Sequence, residues 1–383
     1  MKNILIYLDN QATTPIDPKV LEMMNPYLTK YFGNPASINH IFGWQAEEAV
    51  TIARERVSET INANLNEIIF TSGATESINL ALKGLINKKI KKGDHIITTN
   101  IEHRAIIDVL KFINLKGIEI SYVSVDNEGI LDIEHLKRKI KKNTKLCTII
   151  HGNNEIGTIQ PIKEIGQLCK KNNIIFHVDA AQTLGKKDID VIDMNIDLLS
   201  ISGHKIYAPK GVGALYIKRD KSKIELDAII HGGGHEYGYR SGTLAVHNIV
   251  GFGAACMIAN KQKKEDNKKI KKMRDLLLKG LIKIFPNLIV NGNIQKRLEG
   301  NLNVTFPKYS AEKIMMKLTE IACSTGSACT SSMPQPSHVL LAIGLNKKQI
   351  NNTIRFGIGR FNNIKEINYT IKLFERIENG NNQ

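Results

Sequence analysis

Short apolar runs alternate with longer amphipathic stretches along residues 66–218, and this alternation limits the folds open to the chain. The β-branched runs are EIIFTS, HIITTN, IEISYVSVD, KLCTIIHG, IIFHVDA, IDLLSIS and VGALYIK. Between them lie helical patterns such as TESINLALKGLI, RAIIDVLKFINLKG and IKEIGQLCKKNN. Apolar runs separated by helices are typical of a mainly parallel sheet with crossover helices. The sequence therefore predicts an α/β fold.

A change of composition near Asn260 indicates a second structural unit. The Lys-rich helical stretch KQKKEDNKKIKKMRDLLLKGLIKIF is followed by two short strand patterns, NLIVNG and GNLNVTFP, a helix after Ser310 and another near the end. A chain of 383 residues also exceeds what one core usually supports. We expect a large domain over 16–259 and a smaller α/β domain formed by 1–15 and 260–383, with a cleft between them.

The chain is strongly basic, with a formal net charge of +16. Its lysines are scattered among Asn and Ile without interleaved aromatic residues, which favours a solvated surface over a nucleic-acid site and leaves a negatively charged protein partner open. The start, MKNILIYLDN, has too short an apolar run for a signal peptide. The longest apolar run, 249–259, is too short to cross a membrane. We expect a cytoplasmic protein without membrane contact.

Five cysteines form no CxxC pair and predict neither a disulfide framework nor a metal site. Cys147, Cys169 and Cys256 lie in apolar settings and are expected to pack as small hydrophobic residues. Cys323 and Cys329 instead lie in CSTGSACTSS, a stretch of small and polar residues. Such a stretch predicts a mobile loop over about 323–335.

Three polar patterns follow predicted strands, where ligands collect in open α/β sheets. TSGATES leads into a helix, whose N-terminus either binds phosphate or is merely capped. Asp179 ends IIFHVD, and its carboxylate either forms a salt bridge or holds a protonated ring nitrogen. Lys205, in SGHK, is either a surface lysine or an amine that forms a Schiff base. Found in this order, the three patterns predict a pyridoxal 5'-phosphate (PLP) site.

Motifs along nearly the whole chain strengthen this interpretation. They are YLDNQATTP, FGNPASINH, FTSGATESINLALKG, NIEHRAI, NNEIGTIQPI, HVDAAQTLGK, SGHKIYAPKGVGALYI, HGGGHEYGYRSGT and STGSACTS. With them the chain resembles the cysteine desulfurases of the NifS/IscS type, and the IscS-like branch is the nearest match. The resemblance implies the PLP-dependent transferase fold of type I, a large domain with a mainly parallel sheet flanked by helices plus a smaller α/β domain.

The resemblance also implies roles for individual residues. Lys205 would bear the covalent link to the cofactor, Asp179 would pair with its ring nitrogen, and His103 would stack on the ring or, as the alternative, hydrogen-bond to backbone. Asn154 and Gln182 would bond the phenolic oxygen. The phosphate would be held by Ala74, Thr75, Ser202 and His204, and by Thr243 of a second subunit, which implies a homodimer.

At the substrate end, the resemblance implies that Arg355 and Asn34 bind L-cysteine, with a structural salt bridge as the alternative for Arg355. Cys329 would take the sulfur as a persulfide while L-alanine leaves. No metal site is expected, although Cys329 could serve as a transient iron–sulfur ligand. Cys323 is expected to be a buried small residue, with resolving chemistry as the alternative. The acceptor would be an iron–sulfur scaffold or a sulfur-relay protein, for cluster assembly or tRNA thiolation.

Two other functions stay open from the sequence. A selenocysteine lyase, or a PLP enzyme that releases sulfide, would use the same cofactor but would not need a mobile thiol. A basic binding protein with a vestigial PLP site would need none of the reactive groups. The presence of Lys205, Asp179, His103 and Cys329 together favours the desulfurase.

Overall fold

The computed structural model describes residues 5–86, 88–219, 224–325 and 336–381. Its strands are β1 (Ile6–Tyr7), β2 (Ile68–Thr71), β3 (His95–Thr99), β4 (Glu119–Val123), β5 (Thr144–Ile150), β6 (Ile175–Asp179), β7 (Leu198–Ser202), β8 (Gly213–Ile217), β9 (Ile289–Val290), β10 (Asn301–Thr305), β11 (Ile321–Ala322), β12 (Ser324–Thr325) and β13 (Thr353–Gly357). Its helices are α1 (Pro18–Met24), α2 (Pro26–Thr29), α3 (Ile41–Thr60), α4 (Ala74–Gly84), α5 (Arg104–Asn114), α6 (Ile133–Lys139), α7 (Ile162–Lys171), α8 (Val246–Ile284), α9 (Ala311–Lys317), α10 (His338–Ala342), α11 (Lys347–Asn351) and α12 (Ile364–Asn381).

A seven-stranded sheet forms the centre of the fold, in the order β2-β8-β7-β6-β5-β3-β4. The pairs β3–β4, β3–β5, β5–β6 and β6–β7 are parallel, while β8 runs antiparallel to both β2 and β7. Most of these strands are buried on both faces, which explains why they appear in the sequence as continuous apolar runs. The predicted mainly parallel α/β sheet is confirmed.

Helices cover the sheet through apolar stripes at helical spacing. In α5 the buried residues Ile106, Val109, Leu110 and Ile113 share one face. Where α3 crosses α8, the backbones approach so closely that a Cβ on Gly253 would lie 2.6 Å from the Ala53 Cα. A glycine is therefore needed at this crossing.

A second, smaller assembly contains the four-stranded antiparallel sheet β12-β13-β10-β9 and the parallel pair β1-β11. Its own core joins the N-terminal Ile6 and Leu8 to residues of β10, β13, α8 and α12. Helix α8 runs unbroken for 39 residues through the predicted boundary at 259. Its first half packs in the core of the large sheet and its second half in the smaller one. The domain limits 16–259 and 260–383 stay a prediction.

Among the described helices, none combines the length and the apolar character needed to cross a bilayer.

Candidate active site

A cavity of about 580 Å³ lies at the carboxyl ends of the parallel strands. The segments that follow β2, β3, β5, β6 and β7 all reach it. Its lining includes many of the residues singled out in the sequence: Ala74, Thr75, His103, Asn154, Asp179, Gln182, Ser202, His204 and Lys205. The structure therefore brings together groups that are up to 131 positions apart in the chain.

The N-terminus of α4 forms one wall of this cavity. The first backbone bond of the helix, from the Ser77 N–H to the Gly73 carbonyl, is 3.1 Å long, so the N–H groups of Ala74 and Thr75 precede the helical ladder. Gly73 has a φ of 153° and lets the chain turn from β2 into α4. Ser202 and His204 line the same cavity from the end of β7. Free N–H groups and the positive end of the helix dipole suit an anion such as phosphate.

Asp179 is a buried carboxylate without a cationic partner among the described residues. It is 3% exposed, and its Oδ1 accepts a hydrogen bond of 3.0 Å from the Ala181 N–H. Burial raises the pKa of Asp179, while His103 and Lys205 oppose this shift. The structural salt bridge left open by the sequence is not formed in the described part of the chain. An uncompensated buried carboxylate suits a ligand that brings its own positive charge.

Lys205 projects into the cavity from a turn after β7. Its Nζ donates 2.6 Å hydrogen bonds to the carbonyl oxygens of Gln11 and Ala12. Burial lowers the pKa of Lys205 to about 8, and the nearby Arg355 acts in the same direction, while Asp9 and Asp179 oppose it. A lysine of this kind is partly neutral at physiological pH and can act as a nucleophile or base.

His103 forms the backbone hydrogen bond that the sequence left as the alternative, and its predicted stacking on a cofactor ring stays a prediction. It is the N-cap of α5, and its Nδ1 accepts a 3.1 Å hydrogen bond from the Ala105 N–H. The same ring lines the cavity. Because Nδ1 is the acceptor, the neutral ring carries its proton on Nε2. The backbone bond thus fixes a ring that faces the ligand space.

Gln182 and Asn154 line the cavity with different polar groups available. The Gln182 Nε2 donates to the Gln11 carbonyl at 2.9 Å, and its buried Oε1 has no hydrogen-bond partner in the described structure. Asn154 uses its backbone carbonyl to accept a 3.1 Å bond from the Arg355 Nη1. Their predicted contacts to a phenolic oxygen stay predictions.

Arg355 lies beside the cavity, on β13. Its Nη2 forms a 2.7 Å ion pair with the Asp9 Oδ1 and a 2.9 Å hydrogen bond to the Ser324 Oγ. The salt bridge that the sequence left as an alternative is therefore present. The predicted binding of the substrate carboxylate by Arg355 stays a prediction. The guanidinium contacts Asn154, which lines the cavity, and it lies near enough to Lys205 to lower the pKa of that amine.

The other predicted site residues lie elsewhere. Asn34 and Thr243 are exposed and line no part of this cavity within one chain. Cys329 lies outside the described residues. Cys323 is half-buried with its Sγ 3.1 Å from the Met315 Sδ, and burial raises its pKa to about 12, which agrees with the expected small packed residue. Cys147, Cys169 and Cys256 are buried, as predicted.

The segment after β1 contacts the site, although no strand or helix pattern in the sequence predicts it. Asp9, Gln11 and Ala12 contact Arg355, Gln182 and Lys205, and Thr13 Oγ1 lies 3.0 Å from His204 Nδ1. These residues stand in the motif YLDNQATTP, but no strand or helix pattern surrounds it. The dense polar composition of a short segment after an apolar run was the available signal.

Comparisons with known proteins agree with this geometry. Residues 6–370 match the family model of aminotransferase class-V. The chain is 51% identical over 369 residues to cysteine desulfurase IscS of Shewanella sp. (strain MR-4), covering 96% of this chain and 91% of that protein. Among solved structures, a NifS-like protein superimposes with a TM-score of 0.90 at 36% identity, covering 97% of this chain and 99% of the other. A structure described as SspA in complex with cysteine gives 0.81 at 39% identity, covering 94% and 100%. The chain belongs to the class-V aminotransferase family and, within it, to the cysteine desulfurases.

Proposed function

We propose that this chain transfers sulfur from L-cysteine to Cys329, using PLP, and releases L-alanine. The observation that carries the proposal is the convergence of Lys205, the uncompensated Asp179 and the N-terminus of α4 on one cavity. A nucleophilic amine, a buried carboxylate and an anion site are the three groups that this cofactor needs.

The residues of the cavity fit PLP. Its phosphate matches the free N–H groups of Ala74 and Thr75 with Ser202 and His204, and its ring nitrogen matches Asp179. Lys205 would hold its aldehyde, His103 would cover the ring, and the unpaired Gln182 Oε1 and Asn154 lie on the remaining wall. When bound, the cofactor withdraws electrons from the Cα of the amino-acid substrate.

The residues of the chain would then divide the reaction among them. Arg355 would orient the substrate carboxylate, and the Lys205 Nζ, with a pKa lowered to about 8, would move the Cα proton. The Cys329 thiolate would attack the substrate sulfur. As the new S–S bond forms and the Cβ–S bond breaks, the carbon skeleton gains a proton and leaves as L-alanine. The balance is L-cysteine plus a thiol giving L-alanine plus a persulfide.

We further propose a homodimer and a protein acceptor for the sulfur. Support for the dimer comes from residues 28–44, where Phe32 and Trp44 are 67% and 55% exposed. Exposed aromatic residues in one segment mark an interaction surface. Asn34 lies within that segment and Thr243 is exposed, so both would serve a site completed by a second copy. The acceptor would be an iron–sulfur scaffold or a sulfur-relay protein, and the cytoplasmic location stays a prediction.

The test is to incubate the purified holoenzyme with L-cysteine, weigh the peptide that contains Cys329 and measure L-alanine. We expect the wild-type peptide to gain one sulfur atom. The variant Cys329→Ser should gain none and form little alanine, while Cys323→Ser, a matched thiol six positions earlier, should behave as wild type.

Two results would redirect the assignment. Sulfide, pyruvate and ammonia released from L-cysteine by both wild type and Cys329→Ser, with no L-alanine formed, would indicate a β-eliminating lyase. A colourless protein that neither binds PLP nor forms alanine would indicate a binding role.

A further inference from the structure

Arg355, the proposed partner of the substrate carboxylate, already has a carboxylate bound to it. Asp9 Oδ1 lies 2.7 Å from Nη2, and the two side chains are only 17% and 12% exposed. An ion pair this shielded is screened little by solvent and interacts more strongly than a surface pair. The Arg355 Nε has no partner in the described structure, so a ligand carboxylate competes with Asp9 where it binds through Nη2.

The pattern of contacts around the guanidinium shows where this competition takes place. A carboxylate binds arginine through two N–H groups, either the pair Nε and Nη2 or the pair Nη1 and Nη2. Both arrangements use Nη2. The two hydrogens of Nη2 point to Asp9 Oδ1 and Ser324 Oγ, at 2.7 and 2.9 Å. A substrate carboxylate bound at two points must displace or share one of these contacts.

The backbone of Asp9 is held by hydrogen bonds, so a shift of the whole segment cannot move its carboxylate away from Arg355. Asp9 forms a bridge with Gly357 of β13, and its carbonyl accepts bonds from the Ala12 N–H at 2.9 Å and the Tyr7 hydroxyl at 3.2 Å. Only rotation of the side chain can move the carboxylate away from Nη2. These contacts hold the Asp9 backbone beside Arg355.

The guanidinium, by contrast, keeps its position without Asp9. Nη1 donates to the Asn154 carbonyl at 3.1 Å and Nη2 donates to Ser324 Oγ. Both partners are neutral, so they orient Arg355 without opposing an anionic ligand. Of the described partners of the guanidinium, Asp9 is the one that carries a negative charge.

We propose that Asp9 is an internal competitor for the ligand carboxylate at Arg355, a positioning residue that weakens amino-acid binding and so speeds release of L-alanine. This inference rests on the proposed function, because it takes Arg355 as the carboxylate site. Substrate and product carry the same carboxylate, so a site that held it too firmly would retain the product. The competing charge lets one arginine recognise the substrate without trapping L-alanine.

The experiment compares two ligands that differ only in the carboxylate, L-alanine and ethylamine, by calorimetry on the holoenzyme. In Asp9→Asn the side-chain oxygen can still accept from Nη2, but the negative charge is gone. We expect the preference for L-alanine over ethylamine, taken as the ratio of their Kd values, to rise about tenfold, equivalent to about 1.4 kcal/mol. Inhibition of turnover by added L-alanine should strengthen by the same factor.

A matched control is available at Arg360. Asp266 pairs with the Arg360 Nε at 2.7 Å, with side-chain exposures of 18% and 10%, yet neither residue lines the main cavity. Asp266→Asn removes the same charge from an arginine that keeps a second carboxylate partner, Asp17, at 2.8 Å. It should leave the ligand preference within about twofold of wild type, because Asp266 pairs with Arg360 and not with Arg355.

An unchanged or reduced preference in Asp9→Asn would overturn the inference and leave Asp9 a structural partner of Arg355. If that variant does not fold, Asp9→Ser, which also removes the charge, carries the same expectation. The proposed function fails separately, when wild type forms no persulfide on Cys329 or when Arg355→Ala binds L-alanine as well as wild type does. If wild type forms the persulfide but Asp9→Asn keeps the wild-type preference for L-alanine over ethylamine, this inference is wrong and the proposed function stands.

Discussion

In the protein freed of cofactor, the Lys205 amine should lose its proton near pH 8. Burial lowers its pKa from 10.5 to about 8. At pH 7 about one amine in ten is neutral at the lower value and about one in 3000 at the higher value, a gain of about 300-fold in the reactive form. The buried position of the side chain thus increases the neutral fraction of the amine, the form that would react with the cofactor aldehyde.

Trace labelling with acetic anhydride measures this directly, because only the neutral amine reacts. The apoprotein is labelled in buffers from about pH 6 to about pH 11, and the peptides are quantified by mass. The peptide with Lys205 is compared with that of Lys264, an exposed lysine of α8 that serves as the internal reference. The labelling of Lys205 should reach half of its plateau near pH 8.

Two substitutions should move that midpoint in opposite directions. Arg355→Met removes a positive charge that lowers the pKa of Lys205, so the midpoint should rise. Asp9→Asn removes a negative charge that raises it, so the midpoint should fall. A wild-type midpoint at about 10 or above, the range of a solvated lysine, or shifts of the same sign in both variants, would refute the electrostatic account of this site.

Three further outcomes follow from other parts of the structure. Arg54→Met should lower the free energy of unfolding, measured in urea, by about 3–5 kcal/mol, because it leaves the buried Glu236 without the partner that lies 2.7 Å from it. As the control, Arg138→Met, which removes an exposed pair with a separation of 3.9 Å, should cost less than about 1 kcal/mol. Gly73 has a φ of 153°, which alanine adopts only with strain, and it lines the cavity, so Gly73→Ala should weaken the retention of PLP in dialysis about tenfold. Gly93 has a φ of 87° but does not line the cavity, so Gly93→Ala should leave the retention of PLP unchanged. Burial raises the pKa of Glu102 to about 8 from 4.5, so the folded protein holds a proton there that the unfolded chain has lost. Wild type should therefore lose stability relative to Glu102→Gln as pH rises from about 5 to about 8, and equal pH profiles in chemical denaturation would contradict the shift.

The large sheet was readable from the sequence because its strands are buried on both faces. Each appears as an uninterrupted apolar run, and helical periodicity fills the gaps between runs. Strand β13 was missed because TIRFG carries Arg355 at its centre and belongs to a small antiparallel sheet, where a polar residue can face a neighbouring cavity. The Lys-rich part of α8 was predicted as a helix, but its first half was not joined to it, because residues 249–259 are buried almost all round and appear in the sequence as a continuous apolar run without helical spacing.

The site was predictable to the level of chemical groups but not of contacts. Strand-end positions indicated Asp179 and Lys205, since carboxyl ends of parallel strands share one edge. No local pattern could show that the Lys205 Nζ is held by carbonyl groups 194 and 193 positions away, or that Arg355 meets Asp9 across 346 positions. Such contacts depend on how the N-terminal segment passes between the two sheets, which is a property of the tertiary fold.

The charges of the site act as one coupled set. Arg355 contributes to the lowered pKa of Lys205, Asp9 pairs with Arg355, and Asp179 has no cation of its own among the described residues. A ligand with an anionic end and a cationic ring nitrogen compensates both the α4 N-terminus and Asp179, while it leaves the Asp9–Arg355 pair intact. The cofactor would thus meet charges that have no partner in the described structure, whereas the carboxylate of the amino acid would compete with Asp9 for an arginine that is already paired. That difference would allow the site to retain its cofactor while it exchanges substrate for product.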